Sequence, residues 1–302
     1  MNLTNHANLP EQIVDAVRHD PYNPAKTGDI SVTRLIDSPR AVALRKRHAN
    51  EITEDVTDRV WALLGQVAHG ILERSNTVFS RDLAEQRLFA EVNGWRLSGQ
   101  FDRLSLTDGG TLSDWKLTST WSVIGPEPKP EWTAQLNTLA FLARHNGIRV
   151  SKLEIIALLR DWSRGRARAG NNYPQHQVMR IPIPIWPQAE LEAYIKTRVT
   201  LHRAAEGLAD DELPPCTDAE VWRSASVWAV RKQGRKTAIK LHATESDATT
   251  HADELGRAHY VEYRPGRAVR CADYCAVAAF CNQWRAEQAT TSAGYADIEA
   301  ER

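Results

Sequence analysis

The run from Gln86 to Thr118 constrains the fold most, because short extended patterns alternate there with turn signals. RLFAEV is followed by Asn93-Gly94, WRLSGQFDRLSL by Asp108-Gly109-Gly110, and TLSDWKLT closes the series. Asn-Gly and Asp-Gly favour the left-handed backbone of tight hairpins, so the run predicts a three-stranded antiparallel meander. One face of such a sheet must be covered by another layer, and helical patterns lie on both sides of it in sequence. Upstream, Ser31-Val-Thr-Arg-Leu reads as a helix start, its hydroxyls able to cap free N–H groups before Leu35 and Ile36. Val60, Leu63, Leu64, Val67, Ala68 and Ile71 recur at helical spacing. They predict a helix over about Val60 to Glu73 whose apolar stripe faces a core.

Downstream, a loop carrying Pro126, Pro128 and Pro130 leads into a helix over Glu131 to Asn146 that stops at Gly147, and Lys152 to Trp162 reads as a strand. HQVMRIPIPIW is extended, and Gln188 to Leu208 is an amphipathic helix. The order helix, three strands, helix, strand predicts an α/β fold with a mixed central sheet flanked by helices. DDELPPC breaks the pattern, so we place a core at 31–208 and a small α+β annex at 209–284. Within the annex SVWAVRKQG and TAIKLHA form a hairpin, Glu245 to Gly256 a helix and HYVEYRPG a strand. Residues 1–30, mixing Pro, Gly and polar residues around Ile13, Val14, Ala16 and Val17, are expected to be loosely ordered, and 285–302 to be a disordered tail.

Of the 302 residues, 42% are hydrophobic and 25% charged, enough apolar material for a substantial core. Nothing approaches the roughly 18 apolar residues of a membrane span, and MNLTNHANLPEQ lacks a signal-peptide pattern, so a cytoplasmic protein without a membrane partner is expected. Lys plus Arg and Asp plus Glu both number 38, so any polyanion-binding surface must come from local clusters. Two exist. Arg223, Arg231, Lys232, Arg235, Lys236 and Lys240 interleave with Trp222 and Trp228 and contain no acid between them, and Arg164-Gly-Arg166-Ala-Arg168 forms a second cluster. Such segments can track phosphates and stack on unpaired bases, although a solvated charged face has the same composition.

Ser98-Gly-Gln-Phe-Asp102, a turn, and Ser113-Asp114-Trp-Lys116 carry the chemistry. Side chains two apart on a strand share a face, so Asp114 and Lys116 point the same way, and the tight turn can bring Asp102 beside them. Two carboxylates can hold Mg²⁺ or Mn²⁺, and the lysine can orient or deprotonate a water attacking a phosphodiester. D-x-K alone is more often a surface pattern. His69 on the preceding helix offers a further imidazole ligand, and Gln135, opening the following helix, offers an amide to position water or a phosphate oxygen. Glu73, Glu85 and Glu91 could add a carboxylate, although a surface position is the commoner fate of such residues.

A helical His, G-x-x-D, D-x-K and a Gln-led helix together resemble the RecB-like branch of the PD-(D/E)xK nucleases, over roughly Ser31 to Trp162. That branch includes CRISPR-associated and phage-encoded exonucleases. The resemblance implies a restriction-endonuclease-like core and a divalent-metal-dependent DNA exonuclease acting in recombination, repair or phage DNA processing, with DNA and other processing proteins as partners. It makes Asp102, Asp114 and His69 the metal ligands, with Lys116 acting on the water and Gln135 supporting the site. The family's helix usually reads Q-x-x-x-Y, whereas position 139 here is Leu.

Cys216 stands alone after Pro214-Pro215, and Cys271, Cys275 and Cys281 fall within one short segment. Four thiolates can bind Zn²⁺ or a [4Fe–4S] cluster, and paired C-x₂-C knuckles typical of structural zinc are absent. The spacing resembles the iron–sulfur staple of certain RecB-like nucleases, which implies a structural [4Fe–4S] cluster with Zn²⁺ as the alternative. In those families the distant cysteine commonly precedes the nuclease motifs, whereas Cys216 follows them. Other functions remain open: a restriction-type endonuclease, a catalytically silent DNA-binding or scaffold module, and an iron–sulfur redox sensor, the last of which leaves the acidic residues unexplained.

Overall fold

The three extended patterns form the meander: β4 (Asp82–Val92), β5 (Trp95–Ser105) and β6 (Thr111–Thr118) pair antiparallel in series. The turns need left-handed backbone, supplied by Asn93, Gly94, Asp108, Gly109 and Gly110, all with positive φ. A computed structural model describes residues 2–19, 28–75, 82–170 and 172–290. Before the meander come β1 (Asn2–Thr4), α1 (Glu11–Arg18), β2 (Ile30–Ser31), α2 (Val32–Leu35), α3 (Pro39–Arg47), β3 (Thr53–Asp55) and α4 (Val56–Ser75). After it come α5 (Pro130–His145), β7 (Lys152–Leu159), α6 (Arg164–Ala169), β8 (Val178–Ile183) and α7 (Gln188–Glu206). No helix among the described residues is long and apolar enough to cross a membrane.

The main sheet is mixed, as the element order predicts: β2 joins β5 in parallel, β6 and β7 are parallel, and β8 closes the far side antiparallel. Between β6 and β7 the chain crosses over through α5, the connection that a parallel pair requires. Helices flank this sheet. Helix α5 is buried on most of its surface, from Trp132 to Ala143, and lies across β4 to β8. Gly147, with φ +77, ends it by letting Gly147 and Ile148 turn their N–H groups back onto its last carbonyls. Helix α7 presents Leu191, Ile195 and Val199 at helical spacing to the same core, which also holds Leu97, Phe101, Leu104, Leu112 and Ile155. The Ser31 hydroxyl accepts the Arg34 N–H at 3.4 Å, the cap its sequence suggested.

Two expectations about the N-terminal half need correction. The segment 1–30 is not loosely held where it is described: β1 pairs with β3, and Val14 and Val17 of α1 pack with Val56. The partner strand lies 51 residues downstream, which local composition could not reveal. The apolar stripe of α4 is only partly buried, with Leu64, Val67 and Ile71 exposed at 41%, 52% and 54%. The helix turns Val60, Leu63, Ala68 and His69 inward instead.

The chain divides into two compact units, Met1–Ala43 with Ala49–Leu208, and Leu44–His48 with Ala209–Arg302. In the second, β9 (Val227–Lys232) is flanked by β10 (Lys240–His242) and β11 (His259–Arg264), both antiparallel to it. Helix α8 (Glu245–Leu255) covers this sheet through Ala248 and Ala252, packed on Val230. The short helix α9 (Val269–Asp273) and a 3-10 turn (Ala278–Phe280) carry the clustered cysteines. Residues 282–290 are helical, so the expected tail is ordered up to that point: Glu287 pairs with Arg223 at 2.9 Å, and Arg285 N–H bonds the Cys281 carbonyl. The rest of the expected tail, 291–302, lies outside the described residues.

Candidate active site

The site forms where the meander comes apart. β4 pairs along almost the whole of β5, whose other edge serves β2 at Leu97–Ser98 and β6 only at Arg103–Ser105. The β5–β6 ladder ends at the pair Arg103–Ser113, so the next residues, Asp102 and Asp114, face one another across parting strands. An N–H that would have entered that ladder, that of Trp115, is taken instead by Asp102 Oδ2 at 2.7 Å. Asp114 is 2% exposed; its Oδ1 accepts from Gln135 Nε2 at 2.9 Å. Lys116 shares its face of β6 and places Nζ 2.6 Å from Asp114 Oδ2, a contact of charges without an aligned hydrogen bond.

His69 reaches the same place from α4. Its Nε2 donates to the Trp115 carbonyl at 3.2 Å, and its Nδ1 stands 3.5 Å from Asp102 Oδ1. Glu85 arrives from β4, where it would sit opposite Asp102 in register but carries φ +49 and interrupts the ladder. Its Oε1 is 4.0 Å from His69 Nδ1, while Oε2 accepts from Gln100 Nε2 at 2.6 Å. These side chains open into a cavity of about 330 Å³ that Ser31, Thr33, Arg87 and Leu139 also line.

Electrostatically the site is under-compensated. Burial, and then the Asp114 carboxylate, push Asp102 from its ordinary 3.8 up to about 8, against the opposing pull of the Trp115 N–H and Lys116. One ammonium faces two closely placed carboxylates, and a third, Glu85, adds to their repulsion. Hard oxygens and an imidazole are the usual ligands of a divalent cation, so this donor set could hold one.

All five residues expected at the catalytic centre, His69, Asp102, Asp114, Lys116 and Gln135, converge here. They do not close on one point. Among the described residues, the only three His, Cys, Asp or Glu side chains whose ligand atoms all lie within 4.8 Å of one another are His69, Glu85 and Asp102. Asp114 belongs to no such group of three and faces Lys116 and Gln135. Glu85 is the residue that sequence reasoning undervalued, whereas Glu73 and Glu91 are exposed. Leu139, at the position where a tyrosine was expected, is 2% exposed and packs over Gly99, where a Cβ would come within 2.6 Å of it.

The basic clusters meet different fates. Arg164, Arg166 and Arg168 lie on α6 and are exposed. In the annex, Lys232, Arg235 and Lys236 are exposed, and Arg235 and Lys236 line a hollow of about 670 Å³. Arg231 differs: its guanidinium is held by Glu262 at 2.5 Å and donates to the Arg235 and Lys236 carbonyls, so it braces the turn instead of facing solvent as a free cation. Arg223 is likewise engaged, by Asp218 and Glu287.

The four cysteines all belong to the second unit. Burial raises the Cys271 thiol to about 11, and Cys275, Cys216 and Cys281 each add to the effect, which places the four sulfurs in one electrostatic neighbourhood. Gln283 ties the distant one in: its Oε1 accepts the Cys216 N–H at 2.8 Å and its Nε2 donates to the Cys216 carbonyl at 3.0 Å. Gln283 lies two residues beyond Cys281, so this clamp anchors Cys216 beside the trio.

No family model matches this chain, and no curated protein matches it. Among solved structures, the crystal structure of SSO0001 is similar over 70% of this chain and 88% of that one, at 16% sequence identity and a TM-score of 0.44.

Proposed function

We propose that this chain is a divalent-metal-dependent DNA exonuclease of the RecB-like PD-(D/E)xK type, built on a restriction-endonuclease-like core. The observation that carries the proposal is the meeting of Asp102 and Asp114 at the point where β5 and β6 part, with Lys116 Nζ 2.6 Å from Asp114. His69, Glu85, Asp102 and Asp114 would hold Mg²⁺ or Mn²⁺. When bound, such an ion offsets the charge that develops on a scissile phosphate and lowers the pKa of a bound water.

The chain's own side chains supply the rest. Lys116, freed from neutralising Asp114 alone, can donate to and orient the attacking water, and could take its proton only after giving up its own. Gln135 fixes Asp114 through one oxygen and so sets the direction of the other. The backbone N–H of Trp115 does the same for Asp102. Arg164, Arg166 and Arg168, and separately Lys232, Arg235 and Lys236, are suited to phosphate contacts that position a strand without reading its sequence. DNA recombination, repair or phage DNA processing is the setting such an activity serves, with other processing proteins as partners.

The one distant and three clustered cysteines are suited to a [4Fe–4S] cluster, with Zn²⁺ as the alternative. A cluster bound here would cross-link the segments that carry Cys216 and Cys271 to Cys281.

The test is cleavage of end-labelled linear DNA and closed circular DNA with Mg²⁺ or Mn²⁺, comparing anaerobically purified wild type with Asp114→Ala and Lys116→Ala. Degradation of linear DNA alone, dependent on the ion and abolished by both substitutions, is expected. Cleavage of circular DNA would make the protein an endonuclease, and binding without cleavage by the folded wild type would make it a binding module.

A further inference from the structure

Two large indoles are left uncovered on the first unit, beyond the ends of the elements that carry the catalytic centre. Trp121 is 77% exposed and Trp61 is 53% exposed. Indole rings are usually well buried, so two exposed ones held at fixed positions mark a contact surface.

Both are held by ordered backbone. β6 ends at Thr118, whose carbonyl accepts the Arg160 N–H at 2.9 Å. Thr120 then fastens to the next residue of that segment, since Asp161 Oδ1 accepts its N–H at 2.7 Å and Oδ2 its hydroxyl at 3.3 Å. Trp121 follows directly, inside a 3-10 turn (Thr120–Ser122) closed by the N–H groups of Ser122 and Val123. Trp61 comes from the first half of α4, and the Arg160 guanidinium lies over its ring, with Cζ 4.0 Å from the centroid.

The charge in this region is one-sided. Asp161 is the single acid between Glu154 and Glu190, a stretch that holds Arg160, Arg164, Arg166, Arg168 and Arg180. Both Asp161 oxygens are turned to Thr120, and Arg180 is paired with Glu154. Arg160 and the three arginines of α6 are exposed, and among the described residues no carboxylate pairs with any of the four. Arg103, Arg223 and Arg231 differ, each meeting a carboxylate at 2.9 Å or less.

Open indole faces and unneutralised guanidinium groups together fit a strand whose bases are unpaired. Its bases can cover the indoles and the outer side of the Arg160 plane, and its phosphates can meet the arginines. A duplex hides the same base faces within its own stack. We infer that Trp61, Arg160 and Trp121 form a stacking platform for unpaired nucleotides, with α6 holding the adjacent phosphates, so that the proposed nuclease takes single-stranded DNA. Both supports lead from the catalytic centre: Trp121 lies five residues past Lys116, and Trp61 lies eight residues, about 12 Å of helix, before His69. This inference rests on the nuclease reading and adds the strandedness of its substrate.

The experiment is fluorescence anisotropy of the full chain, in chelator so that nothing is cut, with a labelled oligothymidylate, an abasic strand of equal length and a blunt duplex. Wild type should bind the oligothymidylate roughly tenfold or more tightly than the abasic strand, which carries the same phosphates without bases. Trp61→Leu and Trp121→Leu should each remove most of that preference while leaving abasic binding and the circular dichroism spectrum unchanged. Arg160→Lys should do so in smaller measure, because it keeps the charge and loses the plane. Equal binding of the two strands by wild type, or tighter binding of the duplex, would overturn the platform. So would a preference untouched in both tryptophan variants, which would make the indoles a contact for a protein partner instead. Each of these results leaves metal-dependent cleavage to stand on its own assay; folded wild type that binds none of the three overturns the platform and, if it also fails to cut, the nuclease.

Discussion

Adjacent residues of β6 lead to two buried carboxylate sites that the protein treats in opposite ways. Ser113 donates to Glu154 Oε1 at 2.8 Å, and Arg180 donates to Oε2 through Nε at 2.9 Å and Nη2 at 2.7 Å, so each oxygen of Glu154 is engaged. One residue on, Asp114 meets Asp102 with a single ammonium between two carboxylates, and Asp102 is driven up to about 8. Both sites lie in the same unit and both carboxylates are largely buried, at 8% exposure for Glu154 and 2% for Asp114. A carboxylate that serves only the fold is supplied with its own cation and donors, because an unpaired buried charge is costly. The pair at Asp102 and Asp114 retains that cost, and a bound cation would remove it. Such a difference between neighbours separates a functional charge from a structural one better than burial does.

The comparison breaks most sharply in catalysis. Asp102→Asn and Lys116→Ala should each lower DNA cleavage by roughly 10²–10³-fold, the scale of losing one electrostatic element of a hydrolytic site. Glu154→Gln should cleave within a few-fold of wild type. Equal losses in all three, in end-labelled degradation assays, would erase the distinction.

Stability against pH separates the sites next. Because Asp102 is raised in the fold from 3.8 to about 8, the folded, metal-free protein binds a proton there that the unfolded chain has lost. Its contribution is present in full below about 3.8 and disappears as pH rises through about 8. Thermal unfolding in chelator should therefore show a melting temperature that falls between pH 5 and pH 8.5, with Mn²⁺ restoring it at the alkaline end. Asp102→Asn should flatten that slope, whereas Glu154→Gln should preserve it.

Smaller effects test the surroundings. At Gly99 an added Cβ would approach Leu139, Val32 and Leu142 side chains at 2.6, 2.7 and 2.8 Å, so Gly99→Ala should destabilise by about 1–3 kcal/mol in denaturant unfolding. Glu154→Gln keeps an acceptor for Ser113 and releases an arginine that is 74% exposed, so it should cost within about 1 kcal/mol.

Much of this was legible in the chain itself. The bounds of β6 match TLSDWKLT because the Asp-Gly-Gly turn fixes its start, and strand parity then aligns Asp114 with Lys116. His69 and Gln135 could be placed on helices that enclose the meander. Glu85 was legible only as one of three candidate carboxylates, because its left-handed backbone is a local departure from the strand pattern that its neighbours obey. The pairing of Arg231 was not legible, because its partner Glu262 comes from a strand 31 residues further on. The packing of residues 2–18 escaped for the same reason, since β1 gains its structure from β3 and α1 from α4. Local pattern reports what a segment can form, and long-range partners decide which charges and apolar faces remain free.

The most direct measurement of the central claim is a calorimetric titration of the full chain with Mn²⁺ at pH 7 in two buffers of different ionisation enthalpy. With Asp102 at about 8 the metal-free site carries its proton at pH 7, so binding should release about one proton, seen as a buffer-dependent heat that Asp102→Asn removes. Heats identical in both buffers, or a release that persists in Asp102→Asn, would contradict an uncompensated carboxylate pair built to receive a cation.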